Sequence, residues 1–534
     1  MNIKKITIIG GGSSGWMAAA ALIKNTKNID ITLVESPNIP TVGVGESTLG
    51  HINRFLHMLG LKDEDWMAQC NATYKNTIRF TNFRENKGES FHYPFIRGFD
   101  LVDKYKGLNT WGELATKYPN EFGPDTFAEV FAPCNTLLAI HNKNTDNANG
   151  FLRQYDFVQD TAYHMDAQLF GQYLKNNIAI PNGVNHILND IDSCVKDDEG
   201  NIEKIICKDG QVLTSDLWID CTGFRSLLLE DWMNSEFVSF GNILMNDHAW
   251  ACPVPYVDRE REMHNYTDCV ALPNGWSWKI PLWSRIGTGY VFSSKFISPE
   301  DAKIEFKKHL AEWHSPEIAE KAEPRLIKIR HGKRKRAWVK NVVGIGLSYG
   351  FVEPLESTGL LTTHENIINL LEVLNRRDGY VTRMEKESFN LMTEVTLDGF
   401  AQFVSAHYAF SKRTDTPYWK YVTQENDYQP SMFDAFQPKI NGYGNIAFRL
   451  GEASYDATQQ GAYFILAGLG VKNVSTEQLI DVQNKFAGID SSKLEYSRKM
   501  FQQHKDAVLE YIQTLPSNYE FMRDRIYGGV DEYK

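Results

Sequence analysis

The chain holds little of what would staple it, thread it through a bilayer or draw it to a polyanion. Seven cysteines, at 70, 134, 194, 207, 221, 252 and 269, are odd in number and contain no C-x-x-C pair. That argues against a disulfide framework and a zinc ribbon, and for reduced thiols in the cytoplasm. The 14 histidines are scattered; His364-Glu365 begins like H-E-x-x-H, but Ile368 stands where the second ligand belongs, so no metal site is expected. No apolar window has the length of a membrane helix. The apolar start KKITIIGGG also meets glycine too early for a signal peptide, so a cytoplasmic location is expected. Excess positive charge is absent too: a net charge of −11 gives no general attraction to nucleic acid or anionic lipid. One local exception is KIRHGKRKR at 328–336, with six Lys or Arg in nine, read as a solvated strand edge or as an anion- or reductant-docking patch. Internal repeats and low-complexity tracts are lacking.

What remains is a large core. With 42% hydrophobic residues over 534, the chain is globular, and 12% aromatics suit either plain core packing or pockets lined with flat surfaces. Residues 3–35 read strand, glycine turn, Ala-rich helix, strand: KKITII, GGGSSG, WMAAAALIKNT, DITLVE. A polar, aromatic stretch from about 75 to 185 follows, with a surface loop at NKNTDNANG, 142–150. Strands joined at KDG return over 202–224 and end in LWIDCTG. Further strands resume at AWVKNVVGIGL, and beyond 360 the pattern is mostly helical. A core that starts at residue 3 and returns near 220 and 345 is one domain carrying long insertions.

Gly10-x-Gly12-x-x-Gly15 follows a strand, opens a helix, and is answered by Glu35 at the end of the next strand, 25 residues after Gly10. Glycines permit the tight turn and close approach, first-turn amides bind pyrophosphate, and Glu35 accepts the ribose hydroxyls. GGSSG also fits a hydrolase nucleophile elbow, but the first strand of the chain leaves no earlier loop for the second oxyanion donor and gives Glu35 no task. The late segments LWIDCTG, with Asp220, Thr222 and Gly223, and VVGIGLSYGFVEP, with Pro354, favour FAD over NAD, since a flavin needs returning strands. With only one good fingerprint, the flavin is expected to be reduced by a partner.

Three further segments have two readings each. In NGWSWKIPLW, period two puts Trp276 and Trp278 on one strand face, either as ordinary core or as a wall that keeps substrate from the flavin. Lys75 in CNATYKNTIRF reads as a snorkelling surface lysine unless its context is special. In FVEPLESTGL, Glu356, Ser357 and Thr358 read as acceptors capping the helix predicted over Leu360–Leu374, or as a reactive carboxylate and its neighbours.

Taken together, GGGSSGW at 10–16, VGVGEST at 42–48, TYKNTIRF at 73–80, W-x-W-x-I-P at 276–281 and EPLESTG at 353–359 resemble the flavin-dependent halogenases, the tryptophan-halogenase-like family. AHYAFSKRTDTPYW at 406–419 is similar as well. The resemblance implies an α/β fold: an FAD-binding Rossmann-like domain of the flavin monooxygenase type with long insertions, plus a mostly helical C-terminal region. The implied organisation is a halogenase module over 1–360, with aromatic-rich insertions at about 75–185 and 235–325, and a substrate-side region over 361–534. Reduced FAD from a separate NAD(P)H-dependent flavin reductase, with O2 and halide, would give hypohalous acid for an electron-rich aromatic.

By the same resemblance, Gly10, Gly12, Ser14, Gly15, Trp16, Glu35, Gly45, Glu46 and Leu347 match flavin-binding positions, and Thr358 and Gly359 the halide site. Phe95, Trp276 and Trp278 match walls. Lys75 matches the lysine that holds, or is halogenated by, hypohalous acid, Ser357 a serine linking two pockets, and Glu356 a carboxylate that stabilises the arene cation and takes its proton. FHYPF at 91–95 reverses the expected His and aromatic order, and GEASYDATQQGAYF at 451–464 does not match a clamp for free tryptophan. An indole, phenol or similar heteroarene is the implied substrate, with chloride, bromide or iodide. The rival readings are a flavin aromatic monooxygenase and a non-catalytic flavoprotein.

Overall fold

A computed structural model describes residues 1–39, 45–95, 108–147, 155–425, 456–471 and 491–528. Residues 42–44 of VGVGEST, 148–150 of the Asn-rich loop and 451–455 of GEASYDATQQGAYF lie outside the described residues, as do 96–107, 426–450, 472–490 and 529–534. The chain forms two compact units.

The first unit comprises Met1–Ala72, His164–Leu244 and Ile329–Asp398. Its main sheet runs Trp338–Val339, Val342–Gly344, Leu217–Asp220, Lys5–Ile9, Asp30–Glu35, Asn185–Leu188, parallel except for the hairpin made by the first two. The inner strands Lys5–Ile9, Leu217–Asp220 and Val342–Gly344 are almost wholly buried because both faces are covered. On one side sits the helix Ser13–Asn25, whose Trp16, Met17, Leu22 and four alanines at 18–21 are all buried; the small side chains let it lie close to the helix Thr358–Arg376. On the other, Trp218 and Val342 pack with Leu227, Leu228 and Leu229 and with the hairpin sheet Ile191–Lys196, Ile202–Cys207, Val212–Thr214. The turn at KDG closes with Gly210 at φ 88°, where a Cβ would be strained.

Part of the basic run is the solvated strand edge the spacing suggests, since Lys328 ends the edge strand Arg325–Lys328 and Lys328, Arg330, Lys335 and Arg336 are exposed, but Lys333 and Arg334 are buried. Gly332–Arg334 is the central strand between Phe237–Ser239 and Gly350–Phe351. Lys333 pairs with Glu394 at 3.0 Å and Asp398 at 2.8 Å, Arg330 and Arg334 both grip Glu230, and Arg336 reaches Glu387 at 2.7 Å. Acidic side chains remote in sequence thus neutralise the buried Lys333 and Arg334, which the local spacing of charges could not reveal.

The second unit comprises Thr73–Tyr163, Met245–Lys328 and Gly399–Lys534. Its seven-stranded sheet has the order Arg325–Lys328, His248–Val254, Ile286–Phe292, Gly275–Pro281, Tyr266–Leu272, Thr77–Thr81, Ser90–Pro94. All pairings are antiparallel except Tyr266–Leu272 with Thr77–Thr81. The register puts Phe91, Phe80, Cys269 and Trp278 in one cross-strand row and His92, Arg79, Asp268 and Lys279 in the next, on the opposite face. On the second face, buried Asp268 accepts two bonds from Arg79 (3.0 and 2.8 Å) and pairs with Lys279 at 3.0 Å, and Lys279 lies 4.2 Å from the Trp313 ring. On the first, the helix Asp456–Gly468 lies so close that a Cβ on Gly468 would fall 2.2 Å from the Phe91 ring. The helices Thr358–Arg376, Arg383–Ala409, Asp456–Gly468, Ser491–Gln513 and Asn518–Arg525 make the C-terminal region mostly helical, as the pattern predicts. Among the described residues, no helix is long and apolar enough to cross a membrane.

Candidate functional site

The glycine turn of the first unit is shaped by contact. Gly10 sits at φ 117°, with its virtual Cβ 2.3 Å from the Cys221 carbonyl oxygen, and a Cβ on Gly15 would lie 1.9 Å from the Gly10 carbonyl oxygen. At Gly12 a Cβ meets nothing within 4 Å, so that side of the turn is open. The following helix has no side-chain cap and no acid in its first turn, leaving its amides to an anion. Those features fit the pyrophosphate of a dinucleotide.

Glu35 holds a supporting set that the spacing argument missed. Its Oε2 accepts from Lys175 Nζ and bonds His186 Nε2, each at 2.9 Å. Lys175 lies 5.1 Å above Trp16, and Trp16 meets His186 edge-on at 5.2 Å. Trp16 is thus buried behind the acid as part of its mounting. Gly11, not singled out by the G-x-G-x-x-G pattern, presses on the Glu35 stem, 2.3 Å from where its Cβ would be. Lys175 and His186 left no signal because they meet Glu35 only through the parallel pairing of Asp30–Glu35 with Asn185–Leu188 and the helix packing.

At the other strand ends, Asp220 turns inward and accepts from the amides of Thr222, Leu228 and Leu229 and the Thr222 hydroxyl. It caps its own loop, on the strand Leu217–Asp220 that returns beside Gly10. Ser14 Oγ lies 2.4 Å from a virtual Cβ on Gly346, so the fingerprint helix meets the turn that carries Leu347. Leu347 is 38% exposed and Phe224 36%, an apolar rim at the strand ends.

The EPLESTG turn corrects the capping expectation. Pro354–Glu356 is one 3-10 turn, Ser357 follows in the left-handed region at φ 57°, and the helix begins at Thr358. Ser357 makes no side-chain bond to the first-turn amides; its hydroxyl donates to Ser47 Oγ at 3.0 Å. A non-glycine residue at positive φ holds about 1 kcal/mol of strain that the surroundings must fix. Glu356 is wholly buried, Thr358 2% exposed, and the Thr358 hydroxyl has no partner among the described residues. Gly45, at φ 88°, leads into Glu46, whose Oε2 lies 3.9 Å from a virtual Cβ on Gly359. Burial, with Asp166 nearby, pushes the Glu46 carboxyl up to about 7.

In the second unit, Lys75 is not a snorkelling surface group: it is wholly buried on the strand Thr73–Lys75, its Nζ 4.8 Å from the centre of the Phe95 ring. An ammonium taken out of water costs several kcal/mol unless it is held, so the fold is built to keep it there. The Thr73 hydroxyl donates to the Pro281 carbonyl at 2.6 Å, tying the lysine strand to the end of W-x-W-x-I-P. The Phe95 amide donates to Asn76, and its carbonyl accepts from Asn135 Nδ2. Trp276 and Trp278 share a face, as period two requires, with ring centres 6.1 Å apart, and the edge of the Trp278 ring occupies the space where a Cβ on Gly289 would fall. FHYPF resolves by face: Tyr93 stacks with Phe464 at 6.3 Å on the aromatic side, while His92 bonds the Thr77 hydroxyl on the ion-pair side. Burial and the nearby Arg79 depress His92 to about 3, so it stays neutral.

The family model for tryptophan halogenases matches residues 5–483. Tryptophan 7-halogenase RebH of Lentzea aerocolonigenes is 33% identical over 98% of this chain and 99% of its own length. Tryptophan 6-halogenase SttH of Streptomyces toxytricini is 35% identical over 78% and 80%, and its crystal structure superposes with a TM-score of 0.83 at 31% identity, covering 98% and 99%. The apo structure of VirX1 matches at a TM-score of 0.91 and 50% identity, covering 98% of this chain and 100% of that one. The chain therefore belongs to the tryptophan halogenase family and is a flavin-dependent halogenase.

Proposed function

We propose that this halogenase uses reduced FAD, O2 and a halide to make hypohalous acid, which Lys75 delivers to an electron-rich indole, phenol or related arene. The observation that carries this reading is Lys75 itself: wholly buried, beside an aromatic ring, on a strand pinned at both ends. FAD, supplied in reduced form by a separate NAD(P)H-dependent reductase in the cytoplasm, provides the oxidising chemistry when bound. Gly10, Gly12, Ser14, Gly15, Trp16 and Glu35 hold its dinucleotide portion; Gly45, Glu46 and Leu347 face its ring. The amides of Thr358 and Gly359, with the Thr358 hydroxyl that has no partner among the described residues, hold the halide.

The Lys75 ammonium polarises the oxygen–halogen bond by hydrogen bonding, or carries the halogen as a haloamine. Glu356 stabilises the positive charge that develops on the arene and accepts the ring proton. Ser357, bonded to Ser47, sets the turn that serves both the carboxylate and the halide amides. Phe95, Trp276 and Trp278 wall off the arene and exclude water. In this reading residues 1–360 form the flavin module with its insertions and 361–534 the substrate side.

The test supplies reduced FAD from an added reductase, O2 and each halide in turn to a panel of indoles and phenols, with products read by mass. Halogenated product is expected from the wild type. Lys75→Ala and Glu356→Gln should lower it by roughly a hundredfold or more while halide-dependent oxidant still forms. Product from Lys75→Ala at the wild-type rate removes Lys75 from the mechanism. A hydroxylated product formed without halide would replace this reading with a monooxygenase.

A further inference from the structure

The strand Glu46–Ser47 and the start of the helix Thr358–Arg376 meet at two points. Ser357 donates to Ser47, and Glu46 Oε2 stands 3.9 Å from a virtual Cβ on Gly359. The carboxyl thus lies beside Gly359, one of the two residues whose amides the reading above assigns to an anion; the buried hydroxyl of the other, Thr358, has no partner among the described residues. Two negative charges this close in a poorly solvated pocket repel strongly enough to weaken binding by roughly a hundredfold or more. The titratable groups on the elements that meet at Glu46 are Asp166, Cys70 and His164, and, on the facing turn and helix, the buried Glu356, His364 and Glu365. Asp166 adds a second negative charge, Cys70 beyond it is pushed up by burial and by Asp166, and His164 lies opposite Ser47 in the strand register. The helix N-terminus presents its positive end here.

We propose that the Glu46 carboxyl admits halide to the Thr358 and Gly359 amides only in its neutral form, so that each halide is taken up together with one proton. The proposal rests on those amides being the halide site. It goes beyond flavin contact, because it makes Glu46 a gate on the second substrate. The stoichiometry suits the chemistry: a halide ion oxidised to hypohalous acid needs one oxygen and one proton, and the loaded site brings the proton with the halide. The carboxyl's raised value, about 7, puts the gate's transition near neutrality. Above that value each further pH unit should weaken halide binding about tenfold.

The FAD-loaded enzyme is titrated with sodium bromide at about pH 6 and about pH 8, with binding read from bromide NMR line width and the ion located by anomalous diffraction. Wild type should bind about tenfold more weakly at the higher pH and take up close to one proton per bromide there. Glu46→Gln should bind equally at both, with the affinity of wild type at low pH. Equal wild-type affinity at the two pH values overturns the gate while leaving bromide on the amides. An unaltered pH dependence in Glu46→Gln also overturns it. Bromide located by anomalous diffraction away from the Thr358 and Gly359 amides removes the halide site itself, and the gate with it.

Discussion

Acid should unfold the second unit, and the ion-pair face of its sheet says by how much. His92, His264 and His309 face Arg79, Asp268 and Lys279. Burial first, then the neighbouring cations, lower His92 from 6.5 to about 3 and each of the others to about 4, while Asp268 pulls the other way. The sign follows from the depressed folded values. Above 6.5 neither state is protonated and nothing is lost; as pH falls below 6.5 the unfolded chain takes up protons that the folded one refuses. At about pH 5 the deficit is close to three protons, a slope of about 4 kcal/mol per pH unit, and the loss from pH 7 sums to about 5 kcal/mol. Against a typical total of about 5–15 kcal/mol, that brings the unit to the edge of unfolding near pH 5. The raised carboxyl of Glu305 opposes this trend, so the substitution difference is the cleaner measurement. Urea unfolding followed by tryptophan fluorescence should show the midpoint falling steeply below about pH 6.5, with His92→Gln removing about a third of the slope. A midpoint constant between pH 7 and 5, or NMR showing these imidazoles protonated near pH 6, would refute the reasoning.

Asp268→Ala strands two cations on that face and should cost about 3–5 kcal/mol by urea titration, whereas replacing Asp268, Arg79 and Lys279 together by apolar residues should recover much of the loss; a cost under about 1 kcal/mol would mean the cluster behaves as a surface one. Gly15→Ala drives a Cβ into the Gly10 carbonyl oxygen and should abolish FAD binding, measured by quenching of flavin fluorescence, while circular dichroism stays near wild type. Gly468→Ala pushes the helix Asp456–Gly468 off the Phe91 ring and should destabilise by about 1–3 kcal/mol, read as a lower midpoint in urea.

Residues 3–35 show what local pattern determines. A β-branched run, a glycine turn, an alanine-rich period and a second run ending in Glu35 force strand, turn, helix and parallel strand, because no other arrangement buries those faces and seats those glycines. The shared face of Trp276 and Trp278 follows in the same way from the pleat. Tertiary structure alone decided the rest. The local sequence of FHYPF treats His92 and Tyr93 alike; only the register of Ser90–Pro94 on Thr77–Thr81 sends one to the ion pairs and the other to the aromatic side. KIRHGKRKR is a surface run by composition, and most of it stays on the surface, but Glu394 and Asp398 hold Lys333 inside and Glu230 holds Arg334. Glu356 and Ser357 have the composition of a helix cap, yet Ser357 takes Ser47 instead, because the fold carries the Glu46–Ser47 strand to the helix start. Charge and hydrogen-bond capacity are properties of a residue, but what satisfies them is set by segments elsewhere in the chain, and that pairing exists only once the chain has folded.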